Sequence, residues 1–341
     1  MKTLHDIPLS VLDLAPIVAG GNAAEAFRNS VALVRKAEEL GYNRYWVAEH
    51  HNIPGVASAA TSVVIGRLAA ATSKIRVGAG GIMLSNHAPL VIAEQFGTLE
   101  SMFPGRIDLG LGRAPGGDQP TARALRRDHP RAGEEFPQLL EELRGYFRPA
   151  TAGQLIKAVP GAGLDVPIWL LSSSGFSAEL AGRLGLPFAF AGQFSPQAMV
   201  GSCELYRSVF RPSGVLLEPY VMVGVNIIAA DTDNEARRLA TSHQQAFLNM
   251  VRGKPSQLLP PVDTMDGRWS PAEEAAVADH LSASIIGGPE TVRRGLEVLL
   301  ARTQADEIMI NAMIFDHAAR LHSYEIVAGA GGRQHAVLPH A

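Results

Sequence analysis

Glu49, His50 and His51 follow directly on a short apolar run, RYWVA, and that trio of neighbours offers two kinds of chemistry. Histidine titrates near neutrality, so it can take or give a proton under conditions where most side chains cannot. Two histidines beside a glutamate could also ligate zinc, but a zinc site needs further ligands close by. The ends of the other apolar runs offer Gly81, Arg113 and Ser173 instead, with His87 as the one further candidate. An arginine opposes a bound cation, so no metal is expected. The plain alternative is a histidine bonded into a loop.

Arg113 closes RIDLGLGR. Its guanidinium is a rigid fork of donors that matches phosphate or carboxylate, although an ion pair with Asp108 or Asp118 would explain it too. After PIWLLS the chain reads Ser172-Ser173-Ser174-Gly175-Phe176-Ser177 and enters the helical pattern SAELAGRLG. Hydroxyls, a glycine and free N–H groups at a helix start make a phosphate cradle, whereas a single serine there is more commonly an N-cap. Arg113 and the serine run together favour a phosphate-bearing ligand. The G-x-S-x-G elbow of a serine hydrolase is absent. Glycines inside the strand-like VGAGGIML mark close backbone approach, but without the G-x-G-x-x-G spacing of a dinucleotide fold. The single cysteine, Cys203, lies on an amphipathic segment and reads as a small buried hydrophobe.

The elements that must position these residues alternate. Strand candidates occupy 9–15, 43–48, 75–83, 107–111, 167–172, 187–191, 220–229 and 306–313, separated by helical stretches such as 24–40, which Gly41 ends. Near-continuous apolar strands between helices indicate a parallel sheet covered on both faces, and eight such units in 341 residues indicate a (β/α)8 TIM barrel. Two segments exceed ordinary loops: 114–133 after the fourth strand and 251–288 after the seventh, the second a candidate lid. The barrel domain is expected over 1–328, with 329–341 as a flexible tail. A net charge of −3 and the lack of any basic stripe exclude nucleic acid and anionic membrane as natural partners. No stretch of roughly 18 apolar residues occurs and the N-terminus lacks a signal-like h-region. With one cysteine, these features place the protein in the cytoplasm.

EHHNIPGVASAATSVVIGRLAAAT, IRVGAGGIMLSNHAPLVIAEQFGTLESMFPGRIDLGLGRAPGGDQ, WLLSSSGFSAELAGRLGLPFAFAGQF and DEIMINAMIFDHAARLHSYEIVA resemble the bacterial-luciferase-like monooxygenase family, over about residues 10–327. The resemblance implies a (β/α)8 barrel that uses reduced FMN, supplied by a separate flavin reductase, and O2 to oxidise a small organic substrate. It implies that His50 is catalytic with Glu49 beside it, and that Gly80-Gly81 is a cis peptide against the flavin. Arg113 and the loop of Ser173, Ser174, Gly175, Phe176 and Ser177 would hold the flavin phosphate. Gly112 stands where luciferases have a cysteine lining the ring. Ser85 and Gln193 depart from close relatives, which carry Pro and His there. A homodimer is implied. Two rivals stay open: a hydride-transfer enzyme using the deazaflavin F420, and a non-catalytic flavin-binding protein.

Overall fold

Each short apolar run of the sequence becomes a strand buried along nearly its whole length, because helices cover one face and the barrel interior the other. In the computed structural model the described residues are 2–113, 118–125 and 133–331. The strands are β1 (Leu9–Asp13), β2 (Arg44–Val47), β3 (Arg76–Met83), β4 (Ile107–Gly112), β5 (Ile168–Ser172), β6 (Phe188–Phe190), β7 (Val221–Ala229), β8 (Ile285–Gly287) and β9 (Glu307–Asn311). All pair in parallel. The order β6-β5-β4-β3-β2-β1-β9-β7 closes on itself through β6–β7, which makes a complete eight-stranded TIM barrel. The helices are α1 (Ala23–Glu39), α2 (Thr61–Ala69), α3 (Pro89–Met102), α4 (Gln119–Ala124), α5 (Phe136–Phe147), α6 (Gly175–Leu184), α7 (Met199–Val209), α8 (Asp233–Val251), α9 (Pro271–His280), α10 (Pro289–Thr303) and α11 (His317–Ala330). Gly41, at φ +74°, ends α1 as its sequence position predicts.

Two of the three hydrophobic clusters among the described residues belong to the barrel itself. One is the layer between the strands and the helices. The other fills the barrel, with Leu12, Trp46, Trp169, Met222 and Met309 among its members. Beneath this inner core the N-terminal strand ends form an ionic floor. The buried Asp108 carboxylate accepts from Arg44 at 2.9 Å, Arg76 at 2.6 Å and the Trp46 indole at 3.1 Å. Arg44 also donates to Glu307 at 3.0 Å, and Glu307 further binds Tyr220, Asn43 and Ser10.

The segment 251–288 is more structured than a Pro- and Gly-rich insertion suggests, since it contains α9 and β8. Ser270 and Glu273 form a capping box on α9, with Pro271 at its first position. β8 pairs with Ile227–Ala229, the part of β7 that runs on past its pairing with β6 and β9. Further back, Leu258 accepts from Ala19 at 2.8 Å and donates to Ile17 at 2.9 Å, so the segment is laced to the loop after β1. Of 114–133, α4 is described, while 114–117 and 126–132 lie outside the described residues. The expected tail begins inside α11, which runs to Ala330, and 332–341 lie outside the described residues. Among the described residues no helix is long and apolar enough to cross a membrane.

Candidate active site

A cavity of about 240 Å³ opens at the C-terminal end of the barrel. The inner core makes its base with Leu12, Trp46, Met222 and Met309. One wall is β3, where the Gly80–Gly81 peptide is cis, as expected, and lines the cavity. Side chains would not fit there: a Cβ on Gly81 would stand 2.7 Å from the Gly110 carbonyl oxygen, and one on Gly80 3.0 Å from Leu12 and Trp46. Gly112 lines the same wall, and a Cβ on it would meet the Met83 sulfur at 2.8 Å. The space where luciferases carry a cysteine is thus bordered by a thioether from the neighbouring strand, a contact that reading position 112 alone does not reveal.

At the rim, Arg113 and Ser172, Ser173, Ser174 and Ser177 converge on the cavity from β4 and β5. Ser174 occupies the N-cap position of α6 but makes no side-chain cap bond. Its backbone N–H bonds instead to the Ser172 hydroxyl at 3.0 Å, and that hydroxyl donates to the Ser174 carbonyl at 2.8 Å. The first turn of α6 therefore keeps its N–H donors for a ligand. Ser177, read from the sequence as a possible N-cap, is instead the third residue of α6 and is buried. Gly175 and Phe176 are not among the cavity-lining residues. Phe176 lies under Arg113 instead, with the guanidinium carbon 4.3 Å from the ring centroid, which fixes the direction of the fork. Asp108 is engaged in the ionic floor with Arg44 and Arg76, and Asp118 caps α4. Ser85 donates to the Arg113 carbonyl at 3.3 Å, a link that a proline at this position could not make.

His50 and Glu49 part company. His50 lines the cavity, half-buried, with its ring 6.3 Å from Phe194. Glu49 is buried and does not line it. Its carboxylate accepts from the Met83 backbone at 2.9 Å and from Asn86 at 3.1 Å, and bonds His51 at 2.9 Å and His87 at 3.0 Å. Burial pushes this carboxyl up, but the bonds from His87, His51 and Met83 outweigh it and hold it below the ordinary range. Glu49 is therefore the clamp that ties the loop after β2 to the turn after β3. Among the described residues no group of three or more His, Cys, Asp or Glu is arranged to hold a metal ion.

Gln193, from the loop after β6, is buried and lines this cavity together with a second one of about 130 Å³. The second chamber lies under α8, the end of α9 at His280 and the segment 255–258 that precedes α9, and it shares Leu14, His50, Gln193 and Phe194 with the first. Sequence reasoning did not anticipate it, because its walls are gathered from α8, from the loops after β1, β2, β6 and β9, and from Pro255, Ser256, Leu258 and His280 of 251–288.

The profile of the luciferase-like monooxygenase family matches residues 7–307. The chain belongs to that family. It is 64% identical to YvbT of Bacillus subtilis (strain 168), over 95% of this chain and 96% of that one. It is 54% identical to a luciferase-like monooxygenase of Escherichia coli (strain K12), over 94% and 96%. It is 42% identical to the N-acetyl-S-alkylcysteine monooxygenase of Bacillus subtilis (strain 168), over 73% and 75%. Among solved structures, apo-MsnO8 superposes with a TM-score of 0.86 at 36% identity, covering 96% of this chain and 99% of that one. The fold alone is shared with the FMN complex of the oxygenating constituent of 3,6-diketocamphane monooxygenase from Pseudomonas putida, at TM-score 0.72 and 17% identity. It is also shared with an F420-dependent secondary alcohol dehydrogenase, at 0.67 and 13%. As a luciferase-like monooxygenase family member, the chain is an oxidoreductase.

Proposed function

We propose that this family member is an FMN-dependent monooxygenase that uses reduced flavin and O2 to place one oxygen atom on a small organic substrate. Reduced flavin would come from a separate reductase. The observation that carries the reading is the pairing of an apolar chamber, walled by the Gly80–Gly81 peptide, with a rim of anion donors at one edge. A planar ring with a phosphate tail fits that division. The open N–H groups of α6, the hydroxyls of Ser173, Ser174 and Ser177 and the Arg113 fork suit a phosphate dianion.

When bound, FMN supplies the redox chemistry. The chain's own residues do the rest. Gly80, Gly81 and Gly112 would let the backbone approach the flavin closely, and Trp46, Met222 and Met309 would exclude water from it. Phe176 holds Arg113 toward the phosphate. His50, at the junction of the two chambers, gives or takes the proton at the reacting group.

Isothermal titration with FMN, riboflavin and F420 tests the reading. Charge-assisted bonds contribute roughly 1.5–3 kcal/mol each, so FMN should bind at least about 10²-fold more tightly than riboflavin. Arg113→Ala should shrink that gap by weakening FMN. Equal affinities for FMN and riboflavin would sink the phosphate assignment. Tight binding of F420 with none of FMN would transfer the site to deazaflavin hydride transfer. Rapid mixing of the reduced-FMN complex with O2 should show a spectrally distinct phase before full reoxidation.

A further inference from the structure

We propose that the second chamber seats an uncharged, apolar portion of the substrate, of about the bulk of a six-carbon molecule, with its reacting end at the shared wall of His50 and Gln193. The inference rests on the reading of the first chamber as the flavin site and names the substrate class that its neighbour admits.

Continuity comes first. Leu14, His50, Gln193 and Phe194 belong to both chambers, so a molecule in the second one abuts whatever fills the first. Size is next. At about 130 Å³ the chamber is close to the roughly 150 Å³ of an apolar protein cavity that takes up benzene. Its body is apolar, with Ile53, Val56, Phe247, Leu258 and Met313 among the walls.

Charge decides the class. Among the described residues no Asp, Glu, Lys or Arg lines this chamber. Its amides are committed in a fixed direction. The Gln193 backbone carbonyl can only accept, so Asn226 turns its NH2 toward it at 3.4 Å. Asn226 then offers its oxygen to the Asn311 NH2 at 2.8 Å, and the Asn311 oxygen is left with no partner. The Gln193 side-chain oxygen is likewise unpaired. Both oxygens are buried acceptors, so they offer an anion no donor. Of its three imidazoles, His50 stands at the wall shared with the first chamber, and the two that belong to this chamber alone, His243 and His280, supply no countercharge. Burial and the neighbouring His280 push His243 down to about 4, and burial lowers His280, whose ring stacks on Phe247 at 3.7 Å. The two chambers thus divide the ligands by charge, with the anion donors at Arg113 and neither sign of fixed charge beyond Phe194. An ion taken into the second chamber would lose its hydration with nothing in return.

The test uses 1-hexanol, hexylammonium and hexanoate near neutral pH, with binding measured by ligand-observed NMR on the FMN-loaded and the flavin-free protein. Hexanol should bind at least about tenfold more tightly than either hexylammonium or hexanoate, because each ion loses its hydration without meeting a countercharge. Ala246→Trp, or Met250→Trp at the more exposed rim, should fill the chamber and abolish hexanol binding while FMN affinity is kept. Hexanoate binding as tightly as hexanol, or hexanol binding unchanged in both variants, overturns the proposal. If FMN binds normally and the ranking is absent, the chamber assignment alone fails. If FMN does not bind but the flavin-free protein shows the ranking, the cofactor reading fails and the chamber assignment stands.

Discussion

At the N-terminal end of the barrel, Arg44 and Arg76 share the buried Asp108 carboxylate while Arg44 also grips Glu307, and every charge is matched within the molecule. At the C-terminal end, the α6 N-terminus has no side-chain cap, Gln193 and Asn311 keep unpaired oxygens, and glycines replace side chains along β3. The first arrangement spends its polar groups on one another and so serves the fold. The second leaves them for a ligand, which a barrel can tolerate only because the opposite end is closed. Substitutions at the two ends should therefore register in different measurements.

Asp108→Asn offers the largest effect. Removing one charge from a buried network takes the shared carboxylate from Arg76 and leaves Arg44 with Glu307 alone, and should cost about 3–5 kcal/mol, read as a lower urea midpoint. Wild-type stability in this variant would show that the floor is decorative and would dissolve the contrast. At the other end, His50→Ala should leave the urea midpoint almost unmoved and FMN affinity near normal. Turnover should fall about 10²–10⁴-fold, the usual worth of a positioned acid–base group. His51→Ala should act more weakly on turnover, because His51 is bonded to Glu49 and does not line the cavity. Equal small losses in both variants would remove His50 from any proton role.

Glu49 sharpens the comparison, because it sits at the functional end yet is saturated like the floor. Its folded-state carboxyl titrates below the free value of 4.5, so the unfolded chain takes up the proton more readily. The stability it contributes is present above about 4.5 and is lost as the pH falls through the lowered folded value. Glu49→Gln should flatten that part of a stability-versus-pH curve, the smallest of these effects. An unchanged acid limb would mean that other carboxylates dominate it.

The barrel was readable because its strands are dense apolar runs, and each of the eight falls within two residues of its expected bounds. β8 was not, since Ile285–Gly287 is too short to show a period. α9 carried a legible signal in Ser270-Pro271 with Glu273, but it lies among prolines and glycines that read as loop. Within the site, the family resemblance singled out His50, Gly80, Gly81, Gly112, Arg113, Ser173, Ser174 and Ser177, and all eight line one cavity. It could not show that Glu49 faces away, because its partner His87 lies 38 residues on and meets it only through the turn after β3. Nor could it show Phe176 beneath Arg113, a contact between the first turn of α6 and the residue after β4 that no local pattern dictates.

β7 is nine residues long, and only its first part belongs to the closed barrel, while Ile227–Ala229 pair with β8. The chamber cover is consequently a cassette. It is fastened to the scaffold by a three-residue ladder at one end and by the Leu258 bonds to the β1 loop at the other. Such a part can be exchanged or redrawn without reopening the barrel's own hydrogen bonds. On the proposed reading, selection can thus alter which molecules enter while the end assigned to FMN stays as it is, and a designer could use these seams as graft points.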